Sequence, residues 1–263
     1  MKLFNNSFDS FDAYMIVYSK DNKRKRNYDI VNKLFKKTIK YFEAIDTINN
    51  FDMWKHFAID RGYTTNDYIE KEVIKNGKGK LGCNLSHHLL LEQIYKKYNL
   101  LHRKRKEEKK HNNDKINDWF LVLEDDLGIK GNFNPSEFIN NIINKINLEC
   151  SESKYVQLCI YPQFIIHQTK ADYLFPITGN GGADAFKKIN QYGTCAYLIH
   201  IDGIKQLLNL KPWELNIDFL FNSVDQQLNS IAVLNNIFYC KGSCDSQDKN
   251  NEMGSLIWDN RHK

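Results

Sequence analysis

A chain of 263 residues, 42% hydrophobic and 13% aromatic, carries too much core-forming material to be disordered and is long enough for one compact domain over residues 1–263 without disulfide or metal staples. Its formal net charge of +5 favours anionic ligands as a class and names none. The N-terminus lacks the basic and apolar regions of a secretory signal, and no apolar run approaches the roughly 18 residues that cross a bilayer, so a soluble, cytoplasmic chain without a transmembrane segment is expected.

Ala13 to Tyr18 (AYMIVY) is an apolar and aromatic run of strand length. Tyr28, Val31, Leu34, Phe35, Ile39 and Phe42 then recur at three- and four-residue spacing, which predicts an amphipathic helix with a lysine-rich outer face. The segment up to Lys80, with Gly62, Gly77 and Gly79, reads as mostly loop with a short helix. Leu85, Leu89, Ile94 and Tyr98 mark the next helix, opened by Gly82 and capped at Asn84.

His102 to Lys110 (HRKRKEEKK) reads as a solvated insertion between that helix and the following strand. Its glutamates and lack of interleaved aromatic residues argue against a nucleic-acid partner. Trp119 to Leu123 (WFLVL) is a continuous apolar strand of the kind covered on both faces. Asn134, Pro135 and Glu137 form a strong helix start before Phe138, Ile139, Ile142, Ile143 and Ile146. Tyr155 to Tyr161 and Thr194 to Ile201 read as strands, with Asp202 capping a helix through Ile204, Leu207 and Leu208. Alternating strands and helices predict an α/β fold with a mixed central sheet flanked by helices.

The chemistry concentrates at the end of WFLVL, where Glu124, Asp125 and Asp126 follow the buried strand. Three successive carboxylates repel one another unless a cation compensates, and ligands of open α/β sheets gather beyond the carboxyl ends of strands. In an extended segment Glu124 and Asp126 share a side, and oxygen ligation suits manganese or magnesium; a polar turn is the plainer alternative. Cys83, Cys150, Cys159, Cys195, Cys240 and Cys244 show no paired CxxC spacing, which argues against a zinc site or a redox motif. Cys240 and Cys244 are close enough to bridge in an oxidising compartment.

KGKLGCNLSH (78–87), WFLVLEDDL, YGTCAYLIHIDGIKQLL and LNIDFLF occur in an order and spacing that resemble the motifs of family 25 glycosyltransferases, the family of procollagen galactosyltransferases and bacterial lipooligosaccharide glycosyltransferases. The resemblance runs from about Ala13 to Ser246. It implies a GT-A-like nucleotide-sugar fold and inverting transfer of a sugar, galactose foremost, from a UDP-sugar with the help of manganese. The acceptor would be a hydroxyl of a collagen-like protein, hydroxylysine, or of a glycan. On this match Glu124 and Asp126 hold the metal, and Asp46, Gly82, Ser86, His87, Glu124 and Asp125 bind the donor. Asp218 in NIDFLF becomes the general base, with acceptor binding or capping as its alternatives. His87 shares a helix face with Leu91, Ile94 and Tyr98, so a packing role stays open beside ligand contact. Cys83 is expected to be structural, having no base spaced to activate it.

The chain also departs from the family pattern. Val17 and Tyr18 replace its Asn-Leu pair, with Arg24 the clearest retained arginine; Lys80 and Thr47 replace its glutamate and glycine; and Asp245 and Asp248 match its acid- and serine-rich tail loosely. A catalytically inactive nucleotide-sugar or glycan-binding module of the same fold is the competing reading, and a homodimer is left open.

Overall fold

The first strand, β1 (Phe11–Val17), is buried along nearly all its length, and its two faces feed different cores. Phe11, Ala13, Met15 and Val17 enter one apolar cluster, whereas Tyr14 and Ile16 enter another. The strand Trp119–Glu124, β3, alternates in the same way: Trp119, Leu121 and Leu123 pack on one side and Phe120 and Val122 on the other. A period of two with apolar residues on both faces is the pattern of an interior strand between helical layers.

The computed structural model describes residues 10–35, 37–108, 116–130, 134–159, 186–188, 193–233 and 237–241. After β1 come α1 (Asn22–Leu34), β2 (Lys40–Glu43), α2 (Phe51–Asp60), α3 (Asn66–Tyr68), a π-helical turn Ile69–Val73, α4 (Ile74–Asn76) and the long α5 (Gly79–Glu108). Then follow β3, β4 (Leu127–Ile129), α6 (Pro135–Glu149), β5 (Tyr155–Gln157), β6 (Phe186–Lys188) and β7 (Ala196–His200). The chain continues with α7 (Ile201–Asn209), α8 (Ile217–Ser223), α9 (Asp225–Leu228), β8 (Ile231–Val233) and β9 (Phe238–Cys240). The main sheet runs β2-β1-β3-β7-β5-β8-β6, and β4 pairs with β9 apart from it. β2, β1 and β3 are parallel, while β7 runs antiparallel to both its neighbours, β3 and β5. The expected mixed central sheet flanked by helices is therefore the architecture observed.

α1 and α6 cover one face through Val31, Ile139, Ile142, Ile143 and Ile146; α5, α7 and α8 cover the other through Leu90, Leu91, Ile94, Ile204, Leu207 and Ile217. Each such aliphatic side chain contributes about 1.5–3 kcal/mol on full burial. The α6 start matches its expectation: the Asn134 side chain accepts from the Glu137 amide and Pro135 opens the first turn. A third cluster, with Tyr68, Ile69, Val73, Leu81 and Leu85, joins the π-helical turn to α5.

Several boundaries differ from expectation. Asp21 caps α1, accepting from the Lys23 and Arg24 amides, and the helix ends at Leu34, so Ile39 and Phe42 are not on it. Ile39 is pinned by its amide to Asn32 Oδ1 at 2.9 Å and by its carbonyl to Tyr28 Oη at 2.9 Å, and Phe42 lies in β2. Their helical spacing was a coincidence across a turn. The segment before Lys80 is largely helical because Phe51, Trp54, Phe57 and Ala58 form a stripe that packs on the third cluster.

The α5 helix starts at Gly79, so Asn84 lies inside it instead of capping it, and the basic run from His102 is its last two turns up to Glu108. The strand near Thr194 starts at Ala196. His200, not Asp202, caps α7, its ring accepting from the Asp202 amide. No helix among the described residues is long and apolar enough to cross a membrane.

Candidate active site

β1 and β3 run parallel, and an open cleft lies beyond their carboxyl ends, where the topology of such sheets places ligands. Ile16, Tyr18, Arg24, residues 44–48, Gly79, Cys83, Ser86, His87 and the Glu124–Asp126 turn line it. Motifs separated by tens of residues in the chain thus share one wall. The turn sends its three carboxylates to three sets of partners.

Asp125 faces α1. It forms an ion pair with the buried Arg24 and accepts from the Tyr18 amide at 2.7 Å. Asn27 donates to the Asp125 and Leu127 carbonyls, both at 2.8 Å, which fixes the turn's backbone. Burial raises the Asp125 carboxyl to about 7 against the opposing pull of Arg24. Neither Arg24 nor Asn27 is free for a ligand without breaking these contacts.

Glu124 faces α5 and β7. Its Oε1 meets His87 Nε2 at 3.0 Å and accepts from Thr194 Oγ1 at 2.5 Å. His87 Nδ1 is 2.9 Å from the Tyr197 hydroxyl, so both ring nitrogens are engaged. Burial works to raise the Glu124 carboxyl, but the hydrogen bonds from His87 and Thr194 hold it below its ordinary value. Thr194 Oγ1 also lies 3.0 Å from Asp218 Oδ1. A single hydroxyl proton serves one of the two acids, and the shorter contact assigns it to Glu124. Asp218 is half-buried beside this pair, and desolvation followed by the nearby Glu124 charge raises its carboxyl to about 6.

Asp126 faces β7 and β9 and meets sulfur. Cys195 Sγ is 3.5 Å from Oδ1 and Cys240 Sγ is 3.2 Å from Oδ2. Burial and the nearby Glu124 raise its carboxyl. β9 reaches this position because Gly128 leaves room for it: a Cβ there would stand 2.2 Å from the Tyr239 ring. Neighbouring acids of one turn are thus pushed in opposite directions, Glu124 toward the charged form and Asp126 away from it.

The remaining wall is the loop after β2. Asp46 accepts from Lys20 Nζ at 2.6 Å and from the Ile48 and Asn49 amides at 3.1 Å each. Burial opposes ionisation there, yet the Lys20 and Asn49 hydrogen bonds win and bring the carboxyl to about 2. Ser86 Oγ accepts from the Ile45 amide at 2.8 Å and donates to the Gly82 carbonyl at 2.6 Å. Gly82 does not line the cleft. It permits the loop's approach, since a Cβ there would stand 2.6 Å from the Ile45 carbonyl and 2.7 Å from Thr47 Oγ1.

The structure thus gathers Asp46, Ser86, His87, Glu124, Asp125 and Asp126 on one cleft, and sets Asp218 behind Glu124 through Thr194. Cys83 lines the same wall, and burial pushes its thiol well up, consistent with an inert role. Cys244, Asp245 and Asp248 lie outside the described residues. Sequence reasoning missed Thr194, Tyr197 and Asn84. Asn84 accepts from the Ile217 amide at 2.8 Å and donates to the Leu215 carbonyl at 2.9 Å, tethering the start of α8, where Asp218 sits. Only the antiparallel β7 and the crossing of α5 reveal these contacts.

Among the described residues, two groups could hold a cation: Cys83, His87 and Glu124, and separately Asp126, Cys195 and Cys240. Glu124 and Asp126 both border the cleft, but their polar partners are distinct. Among the described residues Arg24 pairs with Asp125 and His87 contacts Glu124, and burial beside one another raises the Asp125 and Asp126 carboxyls, the direction a nearby cation would reverse.

No protein-family profile matches the chain, and no curated protein does. Among solved structures, the chain is similar to a glycosyltransferase involved in glycosylation of the major capsid of PBCV-1, with 11% identity over 92% of this chain and 97% of that one at a TM-score of 0.37. It is also similar to mouse xyloside xylosyltransferase 1 in its apo form, with 10% identity over 82% of each chain at a TM-score of 0.35. Likenesses this loose assign neither a fold family nor an activity.

Proposed function

We propose that the chain is a metal-dependent, inverting glycosyltransferase that moves a sugar, galactose foremost, from a UDP-sugar to an acceptor hydroxyl, either hydroxylysine of a collagen-like protein or a glycan hydroxyl. What carries this reading is the convergence of separate motifs: Asp46, Ser86, His87 and the Glu124–Asp126 turn meet in one cleft, and Asp218 lies behind Glu124, 3.0 Å from the Thr194 hydroxyl that Glu124 holds.

In this reading Asp218 takes the proton of the acceptor hydroxyl as that oxygen attacks the anomeric carbon and the bond to the diphosphate breaks. A carboxyl near 6 is suited to that duty around neutral pH. Thr194 and His87 keep Glu124 charged and oriented. Ser86 and Asp46 shape the loop against which the donor would rest. Manganese or magnesium, held by Glu124 and Asp126, would offset the charge that develops on the departing diphosphate.

Two measurements test the reading. Chelation should abolish turnover of UDP-sugars, and manganese should restore it. Asp126→Asn should weaken manganese-dependent UDP binding in calorimetry along with transfer. Full transfer by analytically metal-free protein, or unaltered UDP binding and transfer in Asp126→Asn, rejects the metal assignment. Binding of UDP-sugars without turnover of any of them, across hydroxylysine peptides and simple sugars, points to an inactive binding module instead.

A further inference from the structure

The convergence of thiols behind Asp126 is unused by the proposed transfer. Cys195 and Cys240 each contact one of its carboxylate oxygens, at 3.5 and 3.2 Å, and the ligand atoms of all three residues lie within 4.8 Å of one another. Cys159 lies behind them, beside the Cys195 thiol, and is not one of the three grouped ligand residues. The three groups come from three places in the fold: the acid turn, the residue before β7, and the end of β9. Cys159, Cys195 and Asp126 are buried, whereas Cys240 is half-buried and Asp126 borders the cleft, which leaves an entry path.

We propose that Cys195, Cys240 and Asp126 form a site for a thiolate-preferring divalent cation of the zinc class. Two sulfurs and one carboxylate oxygen supply three ligands of the four-coordinate shell such ions prefer, with the fourth place open to water, and a tetrahedral ion with metal–sulfur bonds of about 2.3 Å sets its ligand atoms roughly 3.8 Å apart. The three ligand atoms, within 4.8 Å of one another, reach that with modest contraction. A carboxylate has about four lone-pair directions, so Asp126 keeps acceptor capacity beyond one bond to this ion. The ion would clamp β9 and the start of β7 to the end of β3, and bound thiolates would replace the thiols that now contact Asp126. Absence of a CxxC pair does not argue against such a site, because its ligands converge from distant strands.

The test uses the whole chain, reduced and stripped of metal, titrated with zinc and separately with cobalt(II). One zinc per chain is expected, with a tetrahedral cobalt spectrum bearing a sulfur-to-metal charge-transfer band and loss of thiol reactivity when zinc is added. Cys195→Ser and Cys240→Ser should each lower zinc affinity by about tenfold or more, while Cys83→Ser, whose thiol belongs to the other group, should keep it. No retained zinc, a cobalt spectrum without the thiolate band, or a disulfide within the cluster in the purified protein overturns the proposal. So does zinc loss in Cys83→Ser with retention in Cys240→Ser. If the serine variants of the cluster fail to fold, the cobalt spectrum and thiol protection of the parent decide. None of these readouts uses sugar transfer or manganese, so this proposal and the transferase reading can fail separately.

Discussion

Neighbouring histidines on α5 meet opposite surroundings on its two sides. On the cleft side, His87 has both ring nitrogens engaged, by Glu124 and Tyr197. On the side facing Trp213, His88 lies between the Tyr63 and Trp213 rings, at centroid distances of 4.3 and 4.4 Å, with neither nitrogen hydrogen-bonded among the described residues. Burial, then the nearby Lys211 charge, brings the His88 pKa down to about 3. One helix therefore presents a polar, connected face for chemistry and a ring-packed face for stability. If that division holds, damage to the first should appear in turnover and damage to the second in melting.

The largest expected effect belongs to the cleft side. Asp218→Asn should lower the transfer rate by about 10² to 10⁴ while donor affinity stays nearly intact. Parent activity should rise with pH through about 6 as the base loses its proton. Its folded pKa lies above the reference 3.8, so the parent should lose stability as pH rises through that interval, and the variant should not. Turnover equal to the parent, or a defect confined to donor affinity, removes Asp218 from the base role.

Gly82→Ala tests the seam between the two sides. The added methyl presses on the Ile45 carbonyl and Thr47, so a stability loss of about 1–3 kcal/mol should come with weaker donor binding. Thermal melting and calorimetry read the two together; a stability loss with unchanged donor binding would separate the 44–47 loop from the donor site.

The smallest effect belongs to the ring-packed side. A histidine kept neutral in the fold but free to protonate when unfolded costs stability as pH falls below 6.5 and on toward 3. One unit below the unfolded pKa, the loss is about 1.4 kcal/mol. His88→Phe should flatten that acid slope in melting curves and leave transfer at neutral pH close to parent level. An unchanged slope would mean that His88 does not set acid stability.

Much of this plan could be read from the chain. WFLVL and AYMIVY became interior strands, and the acid turn fell where the sheet rule placed it. Asn134-Pro135 opened a helix because caps are local. Ile39 and Phe42 misled because three-residue spacing continues by chance across a turn into an edge strand. Asn84 looked like a cap because its amide prefers backbone partners; it finds them in Leu215 and Ile217, far away in the chain. Thr194 was unreadable for the same reason, since nothing near it in sequence tells a hydroxyl which acid it will meet.

The antiparallel pairing of β7 with β3 has a consequence of its own. The Leu123–Ala196 pairing and the hydrogen bond from the Glu124 amide to the Cys195 carbonyl, at 2.9 Å, set Thr194 and Cys195 beside the acid turn. Adjacent residues there serve different acids, a hydroxyl for Glu124 and a thiol for Asp126. Side chains alternate faces along a strand, so sliding β7 by one residue would turn the hydroxyl away from Glu124 and the sulfur away from Asp126. Strand alignment thus acts as an address code: it delivers each donor to its acid, and a misaligned fold could keep every residue of the site and still be the wrong site.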